Sequence, residues 1–364
     1  MKTPAAILHE AVQARAFEAF RAEVWHRAKP CLCLGNVPED TFFDLASLTK
    51  AMGTTALFFA LWQEGQLLPS TPLHTLLPQA PLGICLEDLL RHRAGFLAHQ
   101  PLFAECFQQY PQLAQPDCPP AVFPKARTLL LSRLFHTRPV EGPRTCRYSD
   151  VGFMWLGQAL ESCAQSPLEV LFESLVARPL GLGAHFRVLD KPSAQWAQSP
   201  ATGRLRPRPP APGQEGLGGL PSFPSSPGTV DDDNAFALGG VAGHAGLFGR
   251  ARDVARFGQA LLERHWHIPY EEAWRVDTQT PGSRWAMGFD TPSLEESSAG
   301  RFFGKGPQGA VGHLGFVGTS LWVDLDKEVV AVLLTNRTLW GRDNLRIRHV
   351  RPLFHEAVWH ALGL

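Results

Sequence analysis

SLTKAMGTTALFFALWQ, running from Ser47 to Gln63, contains one charged side chain, Lys50, and is closed by Glu64-Gly65. The run and its glycine stop predict a helix, and a helix apolar nearly all round belongs at the centre of a fold. A buried ammonium is costly, so it persists only when it is hydrogen-bonded or when its pKa falls towards neutrality. Ser47 precedes Lys50 by three residues, which sets both side chains on one face about one turn apart, within hydrogen-bonding reach. At a helix N-terminus the backbone dipole favours a developing oxyanion, so a desolvated Lys50 is placed to take the Ser47 proton. The competing reading makes Ser47 a helix N-cap and lets Lys50 snorkel to solvent.

Outward from this helix the two ends of the chain differ from its middle. From Ala5 to about Phe20 apolar residues recur near helical spacing, and Ala22 to Leu34 reads as two extended stretches broken at Lys29-Pro30. Towards the C-terminus, Thr319 to Leu325 and Glu328 to Thr335 are β-rich runs separated by Asp326-Lys327, the pattern of an antiparallel hairpin. Arg346 to Leu362 is predicted helical, with Leu353, Phe354, Val358 and Leu362 near one face. Between these ends, Leu57 to Leu182 is a series of helical blocks divided by Pro and Gly, which reads as a helical insertion within a sheet domain. The expected division is a sheet domain of residues 1–70 and 234–364, a helical domain of 71–190, and a Pro/Gly-rich loop over 191–233. Polyproline II character is a minor alternative for Pro207 to Pro212.

A chain of 364 residues with 45% hydrophobic side chains can bury a large core. Lys plus Arg equal Asp plus Glu at 34 each, so no net field draws it to nucleic acid or to an anionic membrane. A small or neutral partner fits better. The N-terminus lacks the apolar stretch of a signal peptide, and no run of about eighteen apolar residues suggests a membrane span. The seven cysteines are odd in number and form no CxxC pair, which predicts reduced thiols in an unexported, cytoplasmic protein. Alternation in a strand puts Cys31 and Cys33 on one face, as small core residues, the alternative being a reactive dithiol.

Two further motifs follow the first in order. Ser47-Leu48-Thr49-Lys50 resembles the first of three motifs of the serine β-lactamase and penicillin-binding-protein superfamily, Tyr148-Ser149-Asp150 resembles its Tyr-x-Asn motif, and His313-Leu314-Gly315 its Lys-Thr-Gly or His-x-Gly motif. FFDLASLTKAMGTTAL, LEDLLRHRAGF, GGVAGHAGLFGRARDVARF and GHLGFVGTSLWVDLDKEVVAVLLTNRT resemble the flanking signatures, closest to the class C β-lactamase-like branch, over nearly the whole chain. The resemblance implies an α/β (α+β) fold, an antiparallel sheet flanked by helices with an inserted all-helical domain, and a site at the seam. His313 would then lie on an edge strand. It also implies a serine hydrolase that acts through an acyl-enzyme on esters, amides or D-amino-acid peptides, with weak β-lactamase activity and neither metal nor cofactor. Ser47, Lys50 and Tyr148 are the implied catalytic residues, the amides of Ser47 and Phe316 the implied oxyanion hole, and Asp150, His313, Gly315 and His244 the expected substrate-binding set.

Three positions depart from that pattern or extend it. Asp150 replaces an asparagine, and a carboxylate beside Lys50 would hold the ammonium charged and pass more of the base role to Tyr148. His313, expected to titrate near neutrality, and Leu314 replace the cation and hydroxyl that hold a β-lactam carboxylate. The glycines of Gly239 to Gly249 let a backbone approach a ligand, so this loop is expected to line the site, the alternative being a tight turn with His244 satisfied structurally. No GxSxG elbow or HExxH helix occurs, and His265-Trp266-His267 lacks further ligands nearby. The competing function is a binding or sensor protein that keeps the fold without turnover.

Overall fold

A computed structural model describes residues 2–115, 118–189, 198–203, 226–293 and 295–364. Most of the expected 191–233 loop, including Pro207 to Pro212, lies outside the described residues.

The sheet is assembled from both ends of the chain. Its strands are β1 (Phe20–His26), β2 (Lys29–Gly35), β6 (Trp285–Ala286), β7 (Phe289–Asp290), β8 (Ala310–Leu314), β9 (Ser320–Asp324) and β10 (Val329–Thr335), paired antiparallel in the order β2-β1-β10-β9-β8-β7-β6. Three two- or three-residue strands, β3 (Phe43–Asp44), β4 (His185–Phe186) and β5 (Leu247–Gly249), form a second small sheet, β3-β5-β4, which the sequence patterns did not signal. Helices fill the sequence between, from Leu73–Leu76 to Arg178–Leu180.

The apolar run of β10 explains how the sheet is covered on both faces. Alternate residues of a strand point to opposite sides. Val329, Ala331 and Leu333 join a core with Ile7, Leu8, Phe354 and Val358 of the N- and C-terminal helices (Pro4–Gln13 and Ile347–Ala361). Val330, Val332 and Leu334 join the larger core that includes the central helix and the helix Ala251–Leu262. That helix approaches the sheet closely at Gly258, where a Cβ would stand 2.5 Å from Val330.

Several sequence expectations need correction. The N-terminal helix stops at Gln13, and the chain turns at Arg15 with φ 56° before entering β1. The break between the first strands lies at Arg27-Ala28, both at positive φ, as a tight two-residue hairpin demands, and Lys29-Pro30 instead opens β2. Cys31 and Cys33 do share a face, but it is the solvent face of edge strand β2, with both residues exposed while Leu32 and Leu34 pack inward. Leu353 is 54% exposed, because Val350, Phe354 and Val358 are the residues turned to the sheet. β8 is not the edge strand; the short β6–β7 hairpin pairs along it through Asp290 and Gly312.

Candidate active site

The central helix begins with a wider turn. Thr49–Thr55 is π-helical and passes into α-helix over Ala56–Gln63, a winding often found at functional positions. Ser47 lies just before it, following Ala46 at φ 47°. That left-handed backbone is braced by Asp44, whose two oxygens accept the Ala46 and Asp231 amides, each at 2.8 Å. Burial pushes the Asp44 carboxyl up to about 7.

The competing readings of Ser47 and Lys50 separate on geometry. No side chain caps the first turn, and Lys50 is fully buried instead of snorkelling. Lys50 Nζ donates to Ser47 Oγ at 2.9 Å, to Asp150 Oδ1 at 2.7 Å and to the His244 carbonyl at 3.1 Å. Three acceptors use all three protons of an ammonium. Burial alone would lower the Lys50 pKa, but the Asp150 carboxylate and then Tyr148 outweigh it and raise it. Asp150 itself, against burial, is held by Lys50 well below the usual carboxylate range. Lys50 is therefore a cation at rest.

Tyr148 and Asp150 arrive together from the loop that enters the helix Asp150–Ala164. Ser149 caps that helix by accepting the Gly152 amide at 3.1 Å, and its hydroxyl donates to the Leu97 carbonyl at 2.7 Å. Lys50 Nζ stands 4.8 Å from the centre of the Tyr148 ring. Burial pushes the phenol up to about 12, against the nearby charge of Lys50. Around that ring stand His92 at 4.7 Å, Trp285 at 5.4 Å and His313 at 6.0 Å between centroids.

Both histidines are neutral. His92 Nδ1 accepts the Ser149 amide at 3.1 Å, and burial first, then Lys50, hold its pKa well below the ordinary value. His313, expected to titrate near neutrality, is instead pushed to about 3 by burial and then by the Lys50 charge. Its Nδ1 faces the Leu314 carbonyl at 2.8 Å, and a carbonyl can only accept, so Nδ1 carries the proton. Gly315 and Phe316 continue from β8. Among the described residues neither the Ser47 nor the Phe316 amide donates to a protein group.

The glycine-rich segment reaches the site through its backbone. Its glycines admit close approach to a helix: a Cβ on Gly243 would collide with the Phe153 carbonyl, and one on Gly157 would come within 3.0 Å of Gly243. Thr54 donates to the Gly243 carbonyl at 2.6 Å, and Thr49 accepts the Leu247 amide at 3.1 Å. The His244 imidazole is buried and paired with Asp232 at 2.8 Å, so only its carbonyl touches Lys50.

His92, Trp285, His99 and Asp232 were not singled out from sequence. His92 lies inside the quoted LEDLLRHRAGF signature, and Asp232 lies in the run Asp231-Asp232-Asp233; both were visible as motifs without an assignable role. Among the described residues no group of three or more His, Cys, Asp or Glu side chains is arranged to hold a metal ion.

Known proteins resemble this chain over nearly its whole length. The family model for Beta-lactamase matches residues 5–353. A putative D-alanyl-D-alanine carboxypeptidase of Escherichia coli O157:H7 is 30% identical over 332 residues, covering 82% of this chain and 69% of the relative. Among solved structures, a penicillin-binding protein homologue from Caulobacter crescentus shares the fold at TM-score 0.66 and 16% identity, covering 98% of this chain and 97% of that one. EstCE1, a hydrolase with promiscuous acyltransferase activity, does so at TM-score 0.64 and 20% identity, covering 96% and 97%. With a family model spanning nearly its whole length, the chain belongs to the Beta-lactamase family and is a serine hydrolase.

Proposed function

We propose that Ser47 is the nucleophile of an acyl-enzyme mechanism on esters, amides or D-amino-acid peptides, with Lys50 and Tyr148 handling its proton. The observation that carries this reading is the 2.9 Å hydrogen bond from Lys50 Nζ to Ser47 Oγ, in a buried setting that Tyr148 also faces. Ser47 Oγ bonds to the acyl carbon, its proton passes to the Lys50–Tyr148 pair, and that pair returns it to the leaving group as the acyl bond breaks. Water then attacks the acyl-enzyme by the same route in reverse. The Ser47 and Phe316 amides are the oxyanion donors.

Because Lys50 is cationic and Tyr148 protonated at rest, the base is created when the Lys50–Tyr148–Asp150 cluster loses one proton as a unit. Tyr148, with Lys50 beside it as a fixed positive charge, then carries the larger share of the base role. Asp150 tunes that cluster and His244 helps hold Lys50 through its carbonyl, while His313 and Gly315 shape the strand end that presents Phe316. The name of the E. coli relative, a putative D-alanyl-D-alanine carboxypeptidase, and the description of EstCE1 as a hydrolase with promiscuous acyltransferase activity support acyl transfer, with D-amino-acid peptides in the substrate range. No helix among the described residues is long and apolar enough to cross a membrane, and Cys31, Cys33, Cys85, Cys106, Cys146 and Cys163 are thiols, which supports a reducing, cytoplasmic setting.

The test is intact-protein mass after exposure to a fluorophosphonate or a nitrophenyl ester. One adduct on the parent, mapped to Ser47 and lost in Ser47→Ala, is expected. An unmodified parent, or an adduct that persists in Ser47→Ala, overturns the assignment.

A further inference from the structure

Asp150 is engaged on both of its oxygens. Oδ1 takes Lys50 at 2.7 Å, and Oδ2 stands 3.6 Å from His99 Nδ1. The approach of His99 is built into the backbone: the Asp150 amide donates to the Ala98 carbonyl at 2.8 Å, and Ser149 Oγ to the Leu97 carbonyl at 2.7 Å. These two bonds lock the Leu97–His99 segment to the turn that delivers Tyr148 and Asp150. His99 has a side chain 32% exposed, whereas Lys50 has none. His99 is thus partly open to solvent, whereas Lys50 is closed off from it.

We propose that His99 is a positioning residue that sets how firmly Asp150 holds Lys50, and thereby how readily the site loses its activating proton. The inference rests on the Ser47 reading above. A cation at His99 offsets part of the Asp150 charge felt by Lys50 and Tyr148, so a proton leaves that pair more easily; a neutral His99 leaves the whole carboxylate to Lys50. The groups facing His99 are Asp150 at the helix start, Asp232 before the helix Asp233–Ala237, and Arg342 from the loop preceding the C-terminal helix. The two carboxylates favour its charged form, and burial and Arg342 oppose it, with a net rise from the ordinary histidine value. Asp150 also faces His244, which Asp232 holds at 2.8 Å, so both arms of the network converge on Lys50.

The experiment compares the parent, His99→Gln and His99→Lys by the pH profile of kcat/KM on a nitrophenyl ester, with Ser47 labelling measured on each. His99→Gln is expected to move the rising limb upward by about one pH unit, which lowers kcat/KM near neutrality about tenfold through kcat with KM unchanged. His99→Lys, which restores a cation, is expected to return the limb to the parent position. Superimposable parent and His99→Gln profiles, or a uniform loss that His99→Lys does not rescue, would overturn the proposal while Ser47 labelling stands. Activity that survives Ser47→Ala would overturn the nucleophile reading, and this inference with it.

Discussion

The Lys50 ammonium lies 2.7 Å from Asp150 Oδ1, nearer than the 2.9 Å that separates it from the Ser47 hydroxyl. The charge that aligns Ser47 is thus the charge that Asp150 pins in place. A lysine so held is an excellent orienting group and a poor resting base, so in the proposed mechanism the cluster loses a proton before it accepts one from Ser47.

Replacing Asp150 by Asn removes the carboxylate that raises both Lys50 and Tyr148. The rising limb of the kcat/KM profile is expected to move down by about 1–3 pH units, the range produced by a close opposite charge. Activity near neutrality should rise accordingly. A steady-state pH series on one ester decides it, and an unmoved limb in Asp150→Asn would remove Asp150 from the proton machinery.

Lys50→Met leaves Asp150 partly buried without its main partner. Removing one member of a buried pair costs about 3–5 kcal/mol, and the 17% exposure of the Asp150 side chain places this case at or below the lower end. Adding Asp150→Asn to Lys50→Met should recover part of the loss. Urea unfolding of both variants reads this directly; equal stabilities would mean that the pair is not coupled.

Asp150 and Asp232 are both held well below the usual carboxylate range, against burial, by Lys50 and by His244 respectively. A carboxyl with a depressed folded-state pKa contributes stability that is complete above its unfolded value of about 4 and is lost as pH falls below it. The parent melting temperature should therefore drop between about pH 4 and pH 2. Asp150→Asn should show a shallower drop, and a parallel acid limb in the two proteins would contradict the assignment.

Ala46 occupies left-handed backbone at φ 47°, immediately before Ser47. An L-residue there pays roughly 1–2 kcal/mol, part of which glycine regains against its own entropy cost. Ala46→Gly is expected to raise the melting temperature by about 2 °C. A drop of several degrees would mean that the Ala46 methyl contributes packing worth more than the strain.

The long-range plan was legible because its signals are local and strong. β10 is apolar on both faces and Val329 to Leu334 are buried throughout, so the run reads as a strand covered on two sides. Lys50 was legible as the one charge in an apolar helix. Other features depended on contacts far apart in sequence: the exposure of Cys31 and Cys33 follows from β2 being an edge strand, and the suppressed ionisation of His313 follows from burial beside Lys50. His99 carries no local pattern, and its place is revealed by its 3.6 Å approach to Asp150 and by the backbone bonds that hold its segment there.

His313 decides what the third motif can recognise. Its side chain is 1% exposed, its pKa is pushed to about 3, and its Nδ1 proton is committed to the Leu314 carbonyl. On the proposed reading of the site, a substrate carboxylate held at the third motif would find a neutral imidazole at every working pH. A missing charge-assisted hydrogen bond of about 1.5–3 kcal/mol corresponds to roughly ten- to a hundredfold in kcat/KM. Penicillins and cephalosporins, which carry that carboxylate, should therefore be cleaved at least tenfold less efficiently than short-chain esters that lack it. The ratio of the two rates should also stay constant from about pH 5 to pH 8, since the shared proton machinery cancels and His313 does not change charge in that window. Had His313 kept an ordinary histidine pKa of about 6.5, the ratio would shift towards the β-lactam as the pH falls. Parallel steady-state profiles on a cephalosporin and a nitrophenyl ester measure it, and efficient cephalosporin cleavage or a ratio that climbs in acid would show that a cation serves the carboxylate after all.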